Sequence, residues 1–91
     1  MTLSGQSILV TGATGAIGQA ICRALAAEGA GVVIHYGRNR DAAEALLASL
    51  GGKGWCFPAD LSDSRGPQLL WDAATSAAGR LTGLVNNAGI R

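Results

Sequence analysis

The 91-residue sequence is short of charge, and what charge it has is scattered. Only 14% of residues are charged, the formal net charge is +1, and Lys53 is the single lysine. No basic stripe runs along any stretch, which argues against a phosphate-backbone partner such as nucleic acid. Aromatic residues make up 4% of the chain and do not alternate with cations, so a base-stacking platform is excluded as well. No apolar run reaches the length of a membrane span, and the first residues lack a charged-then-apolar leader pattern. The two cysteines, Cys22 and Cys56, lie far apart without metal-ligand spacing, and no metal site is expected. Both read as small core residues in a reducing, cytoplasmic setting. Trp55 and Trp71 read as packing residues.

What is present is apolar and glycine-rich. Hydrophobic residues make up 48% of the chain, enough for one small packed domain over residues 1–91. The most informative stretch is Val10-Thr11-Gly12-Ala13-Thr14-Gly15-Ala16-Ile17-Gly18. It joins an apolar strand, Ser7 to Thr11, to a helix predicted from Ile17 to Glu28 and stopped by Gly29. Glycines at the end of a strand and the start of a helix let backbone amides approach a phosphate, which points to a dinucleotide.

The rest of the chain repeats the strand–helix alternation. A second strand is predicted over Gly31 to Tyr36, then a helix from about Asp41 to Leu50 with Asn39 or Asp41 as its cap. Its buried face is expected from Ala43, Leu46, Leu47 and Leu50. A third strand covers Trp55 to Pro58. A third helix covers Pro67 to Ala78, opened by proline and closed by Gly79. Its inward face is expected from Leu69, Leu70, Ala73, Ala74 and Ala77. A fourth strand covers Leu81 to Asn86. Alternation with short connections implies a parallel sheet with right-handed crossovers. Ligands on such sheets bind beyond the carboxyl ends of the strands. Gly12–Gly18, Gly37–Arg38, Asp60–Leu61 and Asn87–Gly89 all follow strands, so they should line one edge. His35, at a strand end, reads as a surface residue rather than a catalyst.

Three motifs, in order, resemble the first part of a short-chain dehydrogenase/reductase: Thr11-Gly12-x-x-Gly15-x-x-Gly18, Asp60-Leu61 and Asn86-Asn87-Ala88-Gly89. The resemblance covers the whole chain. It implies a Rossmann-type α/β fold of order β-α-β-α-β-α-β with strands arranged 3-2-1-4. It implies that Gly12, Thr14, Gly15, Ile17 and Gly18 hold the pyrophosphate, that Asp60 and Leu61 lie at the adenine, and that Asn87, Ala88 and Gly89 run along the ribose and nicotinamide. Asn86 is expected to tie neighbouring loops through its amide. Two departures stand out. Ala16 occupies the middle-glycine position of the family's main branch, and Thr82 stands where the family usually has an aspartate.

The family's catalytic serine and Tyr-x-x-x-Lys pair fall beyond the Asn-Asn-Ala-Gly segment, and the single tyrosine, Tyr36, is not followed by such a lysine. No catalytic residue is therefore assigned. The 91 residues read as the cofactor-binding part of a longer oxidoreductase that interconverts a carbonyl and an alcohol, nearest in pattern to 3-oxoacyl-thioester reductases. Such a parent is expected to be a homo-oligomer. The alternative is a non-catalytic nucleotide- or partner-binding module. The second strand ends His35-Tyr36-Gly37-Arg38 with no acid before Asp41, so NADP(H) is expected over NAD(H), with Arg38 on the 2′-phosphate and Arg40 as a possible second contact.

Overall fold

The structure is a computed structural model describing residues 3–52 and 54–87. The elements run β1 (Ser7–Val10), α1 (Ala16–Ala27), β2 (Gly31–Tyr36), α2 (Arg40–Ser49), β3 (Gly54–Pro58), α3 (Gly66–Ala78) and β4 (Gly83–Val85). The strands form one parallel sheet in the order β3-β2-β1-β4. Chain order reverses between β1 and β4, because β2 pairs with one side of β1 and β4 with the other.

Each helix has local reasons to start and stop. α2 is capped by Asn39, whose side chain accepts from the Ala42 amide at 3.0 Å, so Asn39 rather than Asp41 is the cap. Pro67 opens α3, where a missing amide proton costs nothing. Gly29 and Gly79 follow α1 and α3 with φ of 93° and 81°, a left-handed turn that glycine enters without a side-chain clash.

The central strands are buried on both sides, as near-continuous apolar runs require. Ile8, Val10, Val32, Ile34 and Tyr36 face α1 and α2, where they meet Cys22, Ala43 and Leu46. Leu3, Leu47 and Leu50 pack against the edge of that cluster. Leu9 and Val33 face α3 and meet Leu70 and Ala74, with Trp55 and Phe57 alongside. Fully burying a valine or isoleucine contributes about 1.5–3 kcal/mol, so the β1–β2 pair, with Val10, Val32, Val33 and Ile34 at 0% exposure, anchors the fold.

α3 departs from the expected inward face. Leu70 and Ala74 are buried, but Leu69 is 63% exposed and Ala77 is exposed too. The helix packs over β2 and β3, so the line through Leu70 and Ala74 is the part the sheet covers. Trp71 is likewise not a core residue; it is 39% exposed. β4 is shorter than expected, and Leu84 on it is 53% exposed. At its entrance Thr82 ties β4 to β1: its amide donates to the Ser7 carbonyl at 2.8 Å, and its Oγ1 accepts from the Ser7 amide at 3.0 Å. The threonine thus makes the strand-to-strand link by backbone and hydroxyl. Among the described residues no helix is long and apolar enough to cross a membrane.

Candidate functional site

The turn between β1 and α1 is held from three sides. Gly12, at φ 61°, takes a left-handed conformation suited to glycine. Its carbonyl lies where a Cβ on Gly18 would sit, 2.5 Å away, so only glycine at position 18 lets α1 pack down on the turn. Gln19 reaches back and donates from Nε2 to the Thr14 carbonyl at 2.7 Å. That contact had no signal in the sequence, because a glutamine one turn into a helix looks like any solvated residue.

The start of α1 is open. Gly15 is the N-cap and provides no side-chain hydrogen bond, and the first turn carries no acid. The amides of Ala16, Ile17 and Gly18 precede the first intrahelical bond, from Gln19 to Gly15 at 2.9 Å. They and the positive end of the helix dipole are therefore available to an anion. Gly15 has only the Gly12 carbonyl, at 3.9 Å, near its missing side chain, and Ile17 is 59% exposed at the same end. This donor set fits a pyrophosphate, and it is supplied by small or outward-facing residues.

Asn86 and Asn87 close the turn against β4. Thr11 Oγ1 accepts from the Asn87 amide at 3.0 Å and lies 3.2 Å from Asn86 Oδ1, to which it donates. Asn87 Nδ2 donates to the Gly12 carbonyl at 3.0 Å. Asn86 ties the loops as expected, but Asn87 does so as well, with a buried side chain. Ala88 and Gly89 lie outside the described residues.

A cleft of about 860 Å³ opens beside the turn at the carboxyl ends of the strands. Thr11, His35, Gly37, Arg38, Asp60, Leu61 and Asn86 line it, so loops after all four strands contribute. Leu9, Leu70 and Leu84 supply its apolar surface, and Trp71 and Pro67 of α3 its side. The structure therefore brings Arg38, Asp60 and Leu61 together on one cleft. Gly12, Thr14, Gly15, Ile17 and Gly18 stand next to it, joined through Thr11 and His35 rather than lining it.

The two arginines after β2 differ. Arg40 pairs with Glu44 at 3.3 Å on the exposed face of α2. Arg38 lines the cleft and has no ion pair among the described residues. Asp60 is exposed, and its Oδ1 accepts from both the hydroxyl and the amide of Ser62. These bonds hold its carboxyl below the ordinary carboxylate value, with a smaller contribution from the Arg38 charge. The Asp60 carbonyl sits against Gly66, where a side chain would collide with it, so the start of α3 fixes this loop.

His35 is not the surface residue expected from its place at a strand end; it is 4% exposed. Its Nδ1 accepts from the Gly12 amide at 2.8 Å, and Nε2 is 2.9 Å from the Ala59 carbonyl. An acceptor at Nδ1 leaves the proton on Nε2, which donates to Ala59. With both nitrogens engaged, the ring has no free position for acid–base chemistry. Among the described residues no cluster of histidine, cysteine, aspartate and glutamate could hold a metal ion.

The sequence matches the family model for short chain dehydrogenase over residues 6–91. It is 41% identical over 91 residues to an uncharacterized oxidoreductase of Methylorubrum extorquens, covering 97% of this chain and 37% of that protein. It is also 41% identical to the D-threitol dehydrogenase of Mycolicibacterium smegmatis, covering 97% of this chain and 35% of the relative. Among solved structures, a short chain dehydrogenase from Burkholderia cenocepacia in complex with NADP superposes with a TM-score of 0.91 at 38% identity, over 99% of this chain and 38% of that one. The chain thus spans little more than a third of the length of these relatives. The family model reaches from just before β1 through the Asn86-Asn87 segment, and with 38% identity on a matching fold the conclusion is direct: the chain belongs to the short-chain dehydrogenase family.

Proposed function

We propose that these 91 residues are the cofactor-binding part of an NADP(H)-dependent oxidoreductase that interconverts a carbonyl and an alcohol. The observation that carries the reading is the convergence of four strand-end loops on one cleft beside an uncapped helix start. Gly12, Thr14, Gly15, Ile17 and Gly18 would surround the pyrophosphate, with the amides of Ala16, Ile17 and Gly18 as donors. Asp60 and Leu61 would meet the adenine, and Asn87, Ala88 and Gly89 the ribose and nicotinamide. When bound, the nicotinamide gives or takes the hydride; the residues of this chain bind and orient it.

Arg38 supports the preference for NADP(H). It lines the cleft with no ion pair among the described residues, and no acid stands at the end of β2 to hold a ribose 2′-hydroxyl. The whole enzyme would act on a small carbonyl or alcohol, with 3-oxoacyl thioesters as one class, and would assemble as a homo-oligomer in the cytoplasm. Fluorescence titration of the purified chain with NADPH and NADH tests the core of this reading. Saturable binding with NADPH the tighter ligand is expected. Absence of binding by either dinucleotide would overturn it, and equal affinities would remove the role given to Arg38.

A further inference from the structure

We propose that His35 is a positioning residue for dinucleotide binding: a neutral imidazole that clamps the glycine turn to the Asp60 loop and sets their separation. The inference rests on the proposed reading of the cleft as a dinucleotide site. It adds a residue that neither the motifs nor the expected contacts include.

The geometry is specific to one tautomer. His35 takes two consecutive amides of the turn, Gly12 through Nδ1 at 2.8 Å and Ala13 through its own carbonyl at 3.0 Å. Across the ring, Nε2 donates to Ala59, the residue before Asp60, at 2.9 Å. One side chain therefore bridges the loops that follow β1 and β3, while its backbone belongs to β2 between them. The clamp also decides which amides are spent. Gly12 and Ala13 are satisfied internally, so neither amide is offered to a ligand, whereas those at the start of α1 remain open. A ring turned over about its bond to Cβ would place a C–H toward the Gly12 amide and lose both bonds. A group that only filled space would not need this pairing.

The test uses the 91-residue chain in three forms: wild type, His35→Leu and His35→Asn. Asparagine keeps an acceptor at about the reach of Nδ1, whereas leucine keeps volume and no hydrogen bond. NADPH affinity is read by fluorescence on the fraction shown folded by circular dichroism. His35→Leu should bind roughly tenfold more weakly, the size expected for one lost hydrogen bond in the site. His35→Asn should recover part of that loss and stay weaker than wild type, because it restores the Gly12 contact but not the bridge to Ala59. Long-range proton–nitrogen correlation on histidine-labelled wild type should show the proton on Nε2. Wild-type affinity in His35→Leu, wild-type affinity in His35→Asn, or a proton on Nδ1 would each overturn the proposal. If His35→Leu does not fold, the tautomer and the affinity of His35→Asn relative to wild type still decide it. A wild-type chain that binds no NADPH would instead defeat the cofactor reading itself, and the clamp's binding role with it.

Discussion

Gly18 lies so close to Gly12 that a Cβ on the former would come within 2.5 Å of the latter's carbonyl oxygen and 2.7 Å of Ala13 Cα. These are backbone atoms held by bonds to His35 and Asn87, so they cannot yield as a flexible side chain would. Gly18→Ala should destabilise the chain by about 1–3 kcal/mol or more, the usual cost of overpacking a fixed site. Gly15→Ala meets only the Gly12 carbonyl at 3.9 Å and should cost less than about 1 kcal/mol. Its effect should fall on NADPH affinity, through the methyl group added beside the open amides. Urea denaturation of both variants checks the contrast; equal stabilities would refute the packing role of Gly18.

Thr11 is the hinge between β1 and the Asn86-Asn87 segment. Thr11→Val keeps the shape and removes the hydroxyl that accepts from the Asn87 amide. A buried amide that loses its hydroxyl acceptor costs about 1–3 kcal/mol, and the nearby Val85 carbonyl at 3.2 Å offsets part of it. Thr11→Ser should retain most of the stability. Chemical denaturation of the pair gives the difference, and a neutral Thr11→Val would show that the hydroxyl link carries no stability.

The choice of dinucleotide should reside in Arg38 and not in Arg40. Charge-assisted hydrogen bonds contribute about 1.5–3 kcal/mol, so Arg38→Asp should lower the NADPH/NADH affinity ratio roughly tenfold or more. Arg40 is exposed and paired with Glu44, and Arg40→Ala should change the ratio by less than about threefold, as surface pairs contribute little. Titrations of both variants with both cofactors separate the two.

Cys22 is fully buried, and burial pushes its thiol up to about 11, the Arg23 charge opposing only in part. A folded value above the unfolded one favours the protonated form in the native state. The associated stability is complete below about pH 9 and is lost as pH rises towards 11. The gap between 9.0 and about 11 corresponds to about 3 kcal/mol at most. Melting temperatures of the wild type should therefore fall more steeply across this window than those of Cys22→Ala. Native Cys22 should also label slowly with thiol reagents at neutral pH, because thiolate is scarce and access is blocked.

The sequence by itself determined the order of the elements and the chemistry of their joints. Gly29, Pro67 and Gly79 act within a few residues of themselves, so their meaning is local and could be read directly, whereas Asn39 and Asp41 both qualified as the cap of α2 until the structure chose Asn39. The glycine spacing from Gly12 to Gly18, the missing acid after Tyr36 and the parallel sheet were legible for the same reason: alternation and turn chemistry constrain short connections, whereas the strand order 3-2-1-4 followed from the family resemblance. Only the tertiary structure decided which polar groups meet. His35 and Gly12 are separated by 23 residues, and Thr11 and Asn87 by 76, so no local pattern announces either contact. The same holds for α3, whose helical period allowed several apolar faces. Packing over β2 and β3 selected the line through Leu70 and Ala74 and left Leu69 and Trp71 outside. Local spacing fixes backbone conformation through sterics and nearby hydrogen bonds, whereas burial and long-range pairing depend on which surfaces the finished sheet brings together.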